Sequence, residues 1–150
     1  NGTRHPWQDT IKATWRNVCH ELPKGWRIVG ENLYARHSLH YESLTDWFEV
    51  FAIFTEDNDV LSWDEIVDWC SLLNLTTVTV LWDGLWDQQQ IINLGTTLNT
   101  QTQEGYVIRI KDRFPGQDWN QYVGKWVRKN HVQTDLHWRQ QWVPNKLTLK

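Results

Sequence analysis

The segment that most constrains the fold is residues 47–55, in which large apolar side chains follow one another with few interruptions. In a strand, successive side chains point to opposite faces of the sheet. One face would carry Phe48, Val50, Ala52 and Phe54, and the other would carry Trp47, Glu49, Phe51 and Ile53. Because both faces are largely apolar, we expect this strand at the centre of a sheet.

Helices and strands are expected to alternate irregularly around this central strand. Apolar residues spaced three and four apart predict an amphipathic helix over about residues 7–21, and a strand over residues 26–34 follows it. Gly30 lies inside that strand, which indicates a bulge or a close backbone approach. Ser62 and Glu65 form a capping box at the start of a second long helix. The remaining expected elements are a strand at 77–82, a short helix at 86–94, a loop at 95–103, and two strands within 104–129 separated by a turn at Pro115 and Gly116. This pattern predicts an α+β domain with antiparallel or mixed sheets flanked by helices.

Composition bounds the class of protein. A chain of 150 residues with 40% hydrophobic and 22% charged residues is typical of one globular domain. The net charge of -3 argues against a protein that binds nucleic acid through overall positive charge, although a local basic patch is compatible with it. No apolar run is long enough for a membrane span, and Cys19 and Cys70 lack metal-type spacing, so we expect reduced thiols in a cytoplasmic protein. The twelve tryptophans are expected mainly in the core, with a ring-stacking surface as the alternative.

Charged residues gather near the last two predicted strands. Glu104 stands at the entrance of one strand, and Lys125, Arg128 and Lys129 lie on the next. A carboxylate can hold a hard metal ion, and neighbouring cations can hold phosphates. The alternatives are a turn carboxylate for Glu104 and a solvated strand edge for the three cations.

Four segments occur in this order: GENLY at 30–34, FEVFAI at 48–53, EGYVIR at 104–109 and KWVRK at 125–129. They resemble motifs III, IIIa, IV and V of the nucleotidyltransferase domain of the ATP-dependent RNA ligases, which share a superfamily with DNA ligases and messenger-RNA capping enzymes. Three longer strings resemble a phage and bacterial branch of that family: ENLYARHS at 31–38, LSWDE at 61–65 and KNHVQTD at 129–135. The resemblance covers most of the chain.

The resemblance implies a role for each matching residue. Glu31 would accept a hydrogen bond from the ribose of ATP, and Phe51 would stack on the adenine. Glu104 would help to bind the divalent metal, Mg²⁺ or Mn²⁺. Lys125 would contact the phosphates, with Arg128 and Lys129 beside it. In such ligases a lysine attacks the α-phosphate of ATP, the AMP passes to an RNA 5′-phosphate, and a 3′-hydroxyl then displaces it.

The sequence departs from the family pattern in two places. The nucleophilic lysine of the family stands in a Lys-x-(Asp/Glu)-Gly motif, and no such string occurs in the chain. In motif V, Val127 occupies a position where a second cation is common, so Arg128 or Lys129 would replace it from a shifted register. We therefore expect residues 1–150 to be a single partial nucleotidyltransferase domain that lacks the motif I segment, has a polar tail at 131–150, and does not adenylylate itself.

Other interpretations stay open at this point. Glu31 could be a strand carboxylate paired with Arg27 or Arg36, and Phe51 could be a core aromatic. Arg36 and His37 could contact the phosphates of a substrate RNA. His37, His40, His131 and His137 lack the spacing of a zinc site, so exposed or hydrogen-bonded histidines are favoured. For the chain as a whole, the alternatives to an RNA ligase are a DNA ligase or capping-type nucleotidyltransferase, and a non-catalytic nucleotide- or RNA-binding module.

Overall fold

The computed structural model describes residues 5–35, 41, 44–129 and 143–148, and this part of the chain forms two sheets and four α-helices. The larger sheet contains β1 (Arg27–Asn32), β2 (Phe48–Phe54), β3 (Asp59–Val60), β4 (Thr76–Thr77) and β6 (Phe114–Pro115). The smaller sheet pairs β5 (Gly105–Arg109) with β7 (Val123–Val127) in antiparallel fashion. The helices are α1 (Pro6–Val18), α2 (Trp63–Leu72), α3 (Gln88–Thr97) and α4 (Trp119–Tyr122). The predicted α+β class is confirmed.

The strand β2 lies at the centre of the larger sheet, as its two apolar faces predicted. It pairs antiparallel with β1 on one side, and on the other side with β3 (antiparallel) and β4 (parallel). One face of the sheet packs against α2 through the buried side chains of Val50, Ile53, Leu61, Ile66 and Cys70. The other face carries a buried cluster of Ala52, Val60 and Phe114, against which side chains of α4 and β7 pack.

A β-bulge interrupts the alternation of side chains in β2. Val29 pairs with Ala52 and Gly30 pairs with Val50, so Phe51 is an extra residue opposite the step between Val29 and Gly30. The extra residue places Phe51 on the same side as Ala52, and it places Phe48 and Val50 on the side of Ile53. The sequence pattern had grouped Phe51 with Ile53, and Phe48 and Val50 with Ala52. That part of the prediction is wrong because a bulge is a property of strand pairing. Gly30 was the local signal, since a Cβ there would lie 2.6 Å from the carbonyl oxygen of Glu49.

The helix starts are explained by local chemistry. Pro6 is the first residue of α1, where its missing N–H has no role in the helix. The predicted capping box of α2 is present, with Ser62 accepting from the amide of Glu65 and the Glu65 carboxylate accepting from the amide of Ser62. Asp87 caps α3 through the amides of Gln89 and Gln90, so this helix begins two residues later than predicted and extends to Thr97.

Two predicted elements differ from the structure in the middle of the chain. Only Thr76–Thr77 forms a strand where one was expected over 77–82, and the chain after it is largely exposed. Phe114–Pro115 forms a strand where a turn was expected, because Phe114 pairs with Val60 and is buried. Both differences come from long-range packing that β propensity does not register. In the described part of the chain, no helix combines the length and the apolar character that crossing a membrane requires.

Candidate active site

The two sheets meet at one end through apolar packing and a half-buried arginine. Val123 of β7 packs against the cluster that contains Ala52. The guanidinium of Arg109, at the end of β5, donates to the carbonyl oxygen of Leu61 over 2.8 Å and to that of Phe51 over 3.4 Å. Burial lowers the pKa of Arg109 to about 10, so the side chain stays charged at neutral pH. Arg109 thereby ties the smaller sheet to the bulge of β2.

The larger sheet forms one wall of the candidate site. Glu31 and Glu49 pair directly across β1 and β2, on the face that also carries Val29 and Ala52. Directly paired residues in an antiparallel sheet have their side chains side by side. This wall therefore changes from apolar, near the contact between the sheets, to acidic at the far end of β2.

The smaller sheet forms the second wall. Val123 and Lys125 share one face of β7 with Val127, and Val107 is the strand partner of Lys125 on β5. Exposure on this face rises away from the sheet contact, since Val123 is half-buried while Lys125 is exposed and Val107 is 61% exposed. The opposite face packs against α3, where Tyr106 stacks on Trp126 and donates to the carbonyl of α3 residue Ile91 over 2.9 Å. The exposed face that carries Lys125 is thus the open one.

Glu104 and Arg128 lie together at the far end of this wall. The amide of Arg128 donates to the carbonyl oxygen of Glu104 over 2.9 Å, which extends the pairing of β5 and β7 by one step. Arg128 is only 8% exposed, which is unusual for a charged residue. The carboxylate and the cation of two separate sequence motifs are therefore neighbours.

Tyr41 brings the two walls into one site. Its pKa is raised to about 12, first by burial and then by the negative charges of Glu104, Glu31 and Glu49, while Arg128 lowers it. Electrostatic effects of this kind fall off with distance, so these four charged groups lie near enough to Tyr41 to act on its phenol. We call Glu31, Glu49, Glu104, Arg128 and Tyr41 the inter-sheet cluster.

Two members of the inter-sheet cluster were missed by sequence reasoning. Glu49 was placed on an apolar strand face, yet its pKa is raised by burial and by the nearby charges of Asp46 and Glu31. The isolated acidic residue within an apolar strand was the available signal. Tyr41 lies between the strands predicted at 26–34 and 47–55, and no sequence pattern marked it.

The predicted site residues fall into three groups. Glu31, Glu104 and Arg128 belong to the inter-sheet cluster. Phe51 is half-buried at the bulge, on the Glu31 face, whereas Lys125 and Lys129 are exposed on and just beyond β7. Arg36 and His37 lie outside the described residues, as do His40, His131 and His137.

The carboxylates of the inter-sheet cluster do not form a complete metal site by themselves. In the described ranges, no group of three or more His, Cys, Asp or Glu residues could hold a metal by itself. Mg²⁺ commonly binds through one or two carboxylates together with water and substrate phosphates, so it does not need a complete protein cage.

Comparisons with known proteins identify the family. Neither the curated proteins nor the solved structures contain a significant match to the chain. A family model described as RNA ligase matches residues 1–127, which are 127 of the 150 residues. This match supports an RNA-ligase-type function in general terms. The chain belongs to the RNA ligase family.

Proposed function

We propose that this chain supplies the nucleotide- and phosphate-binding part of an ATP-dependent RNA ligase. Such an enzyme joins RNA 5′-phosphate and 3′-hydroxyl ends through enzyme-AMP and RNA-adenylate intermediates. The observation that carries the proposal is the convergence of Glu31, Glu104 and Arg128 around Tyr41. These residues come from three segments that are distant in sequence, and each segment resembles a different nucleotidyltransferase motif.

The proposed contacts with the ribose and the adenine lie on the first wall, which the larger sheet forms. Glu31 accepts a hydrogen bond from the ribose, and the half-buried ring of Phe51, on the same face, stacks on the adenine. The bulge supports this role because it turns Phe51 out of the packed cluster around Val50. A ring that is only half-buried has a face left for a ligand.

The proposed phosphate contacts lie on the second wall. Lys125 is exposed on the open face, and Arg128 and Lys129 follow it along the chain. Glu104 is the proposed carboxylate for Mg²⁺ or Mn²⁺, with Glu31 and Glu49 nearby. When bound, such an ion would neutralise phosphate charge, which is the main requirement of nucleotidyl transfer.

The final reaction of such a ligase needs no lysine nucleophile. The 3′-hydroxyl oxygen of one RNA attacks the 5′-phosphate phosphorus of the RNA-adenylate, and a new P–O bond forms. The P–O bond to AMP breaks, AMP leaves with the electron pair, and the hydroxyl proton passes to water. Because no Lys-x-(Asp/Glu)-Gly string occurs in the chain, we propose that this chain can seal an RNA-adenylate but cannot adenylylate itself.

The experiment supplies 5′-adenylylated RNA and an acceptor RNA with a free 3′-hydroxyl, together with Mg²⁺. We expect sealed RNA and free AMP in equal amounts. Glu104→Ala and Lys125→Ala should each reduce the rate by roughly a hundredfold, the usual effect of removing one group that stabilises developing charge. The exposed residues Glu21 and Lys24 provide matched controls, and their alanine variants should seal at the wild-type rate.

The outcomes separate the alternatives. Sealing of a DNA-adenylate in preference to the RNA-adenylate would favour a DNA ligase. ATP binding without any sealing would favour a non-catalytic nucleotide-binding module. If neither binding nor sealing occurs, the proposed function is wrong.

We also propose that Arg36 and His37 contact the phosphates of the substrate RNA. Replacing both with alanine should weaken RNA binding while leaving the affinity for ATP unchanged, because their proposed partners are RNA phosphates. Direct measurement of both dissociation constants tests this proposal. Unchanged RNA affinity would remove these two residues from the site.

A further inference from the structure

A segment near the carboxyl terminus, residues 143–148, packs along the chain that follows β1. Pro144 forms a β-bridge with Ala35, and Leu147 forms one with Leu44. Backbone bonds between Leu44 and Lys146, 3.0 Å long, and between Thr148 and Leu44, 2.9 Å long, continue this pairing. The segment lies beyond the residues that match the RNA ligase family, and we call it the C-terminal strap.

Asn145 is the most buried residue of the C-terminal strap, with an exposure of 4%. Its Nδ2 donates to the carbonyl oxygen of Leu33 over 2.8 Å, and its Oδ1 accepts from the amide of Tyr41 over 2.9 Å. Its own amide donates to the carbonyl oxygen of Tyr34 over 2.8 Å. The side chain and the backbone amide of Asn145 therefore connect two parts of the chain, Leu33 with Tyr34 and Tyr41, which are seven or eight residues apart.

Both parts of the chain that Asn145 connects belong to the candidate site. Leu33 comes two residues after Glu31, and its amide donates to the carbonyl oxygen of Trp47 over 2.7 Å, so it continues the pairing of β1 with β2. Tyr41 is a member of the inter-sheet cluster. Its backbone is held twice by the C-terminal strap, through Asn145 and through the amide of Lys146, which donates to the Tyr41 carbonyl over 2.9 Å.

We propose that Asn145 is a positioning residue that acts through Tyr41: its buried amide fixes the Tyr41 backbone against the end of β1, and this places the phenol among Glu31, Glu49, Glu104 and Arg128. Asn145 matches this task because its side chain offers a donor and an acceptor at once. An aliphatic side chain of the same size would leave the Leu33 carbonyl and the Tyr41 amide without these buried bonds. The inference deepens the proposed function and rests on it for the sealing readout.

The test is a double-mutant cycle between Asn145→Ala and Tyr41→Phe, read by the rate of RNA-adenylate sealing and by the dissociation constant for ATP with Mg²⁺. Each single variant should lower kcat for sealing about tenfold, the scale of one well-placed hydrogen bond. If Asn145 acts through Tyr41, the double variant should be no slower than the slower single variant, since the two changes remove the same contribution. Asn120→Ala, an exposed asparagine on α4, is the control and should seal at the wild-type rate.

Stability measurements separate positioning from general folding. Tyr41→Phe leaves both backbone bonds to the C-terminal strap intact, so its melting temperature should stay at the wild-type value while sealing falls. Hydrogen exchange at the Tyr41 amide should accelerate in Asn145→Ala and not in Asn120→Ala. If Asn145→Ala does not fold, the cycle is run with Asn145→Asp, which keeps the acceptor for the Tyr41 amide and loses the donor to Leu33.

The measured sealing rates test the roles of Tyr41 and Asn145 separately. A double variant about a hundredfold slower than wild type would mean independent effects and would overturn the role of Tyr41. Wild-type sealing rates in Asn145→Ala would overturn the role of Asn145. If the wild type binds ATP without sealing, the proposed function fails. The double-mutant cycle is then measured in ATP dissociation constants, and independent effects of the two substitutions would again overturn the role of Tyr41. If the wild type neither binds nor seals, both are wrong.

Discussion

At the scale of single residues, the pairing of Glu31 with Glu49 is unfavourable to the fold. Like charges placed directly opposite each other in a sheet repel, and burial disfavours the charged form of Glu49 further. The pKa of Glu49 is raised first by burial and then by Asp46 and Glu31. Carboxylates with perturbed pKa values cluster at functional sites.

Replacing Glu49 with glutamine should therefore stabilise the protein at neutral pH. Because the folded-state pKa of Glu49 lies above its unfolded value, the ionised carboxylate destabilises the folded state once the pH exceeds the folded pKa. Glu49→Gln removes that penalty, so its gain should be less than about 1 kcal/mol at pH 7, given the partial exposure, and should vanish below the ordinary pKa of 4.5. Thermal unfolding of both proteins at pH 7 and at pH 4 measures the difference. An equal gain at both values would contradict the electrostatic cause.

Sequence reasoning found residues of the inter-sheet cluster only where a motif contained them. Glu31, Glu104 and Arg128 stand in strings that resemble family motifs, and the structure brings them together. Tyr41 could not be found in this way, because its place depends on bonds to Asn145, which lies 104 residues away. A hydrogen bond over that separation leaves no local pattern in the chain.

At the scale of elements, the start of β5 is the place where backbone geometry shapes the site. A Cβ on Gly105 would overlap the carbonyl oxygen of Trp126, whereas a Cβ on Gly124 would meet no atom within 4 Å. Both glycines lie in the pairing of β5 with β7. Gly105→Ala must therefore push the strands apart beside Glu104 and Arg128, whereas Gly124→Ala fits without moving them.

We expect Gly105→Ala to lower the free energy of unfolding by about 2 kcal/mol and to weaken the binding of ATP, since strain of this size is typical of overpacking. Gly124→Ala is the matched control and should be neutral or slightly stabilising, because glycine weakens a strand interior. Denaturant unfolding and ATP titration measure both effects. Equal behaviour of the two variants would show that the contact between Gly105 and Trp126 is unimportant.

The capping box of α2 allows a second prediction at this scale. The Glu65 carboxylate accepts from the amide of Ser62 over 2.9 Å and also pairs with Arg113. Ser62→Ala should cost about 1 kcal/mol of stability by leaving the amide of Glu65 without its cap. Ser71→Ala, at the exposed end of the same helix, should change stability by less than about 0.5 kcal/mol. Chemical denaturation of the two variants makes the comparison.

The elements that could be predicted from sequence are those with local causes. The capping box, the amphipathic period of α1 and the two apolar faces of β2 each act over a few residues, and the corresponding elements are present. The strand expected at 77–82 reduces to Thr76–Thr77, because only those residues find a partner in β2. The C-terminal strap was expected as part of a polar tail, and its place in the fold depends on contacts with residues 33–35, 41 and 44.

At the scale of the whole molecule, the candidate site depends on how the two sheets are joined. The connection consists of apolar contacts around Val123 and of Arg109, whose guanidinium reaches the Phe51 and Leu61 carbonyls and lies over the rings of Trp63 and Phe114. Sequence reasoning placed Arg109 only as the last residue of motif IV. Its structural task could not be predicted, because its hydrogen-bond partners are backbone atoms of another sheet.

Arg109→Lys should therefore loosen one sheet from the other. The guanidinium is a planar fork that donates to the carbonyls of Phe51 and Leu61 at once. The compact ammonium group of lysine cannot donate to both in that geometry. We expect a loss of roughly 2 kcal/mol in the free energy of unfolding, since a half-buried charged donor and at least one acceptor lose their hydrogen bond.

Arg113→Lys is the matched control for this prediction. Arg113 is exposed and forms an ion pair with Glu65, so the same substitution should change stability by less than about 1 kcal/mol. ATP affinity, measured under conditions where each variant is fully folded, separates the joining of the sheets from stability alone. Arg109→Lys should bind ATP more weakly than wild type, because the wall that carries Lys125 moves away from the wall that carries Glu31 and Phe51. Unchanged ATP affinity in folded Arg109→Lys would mean that the nucleotide site does not span the two sheets.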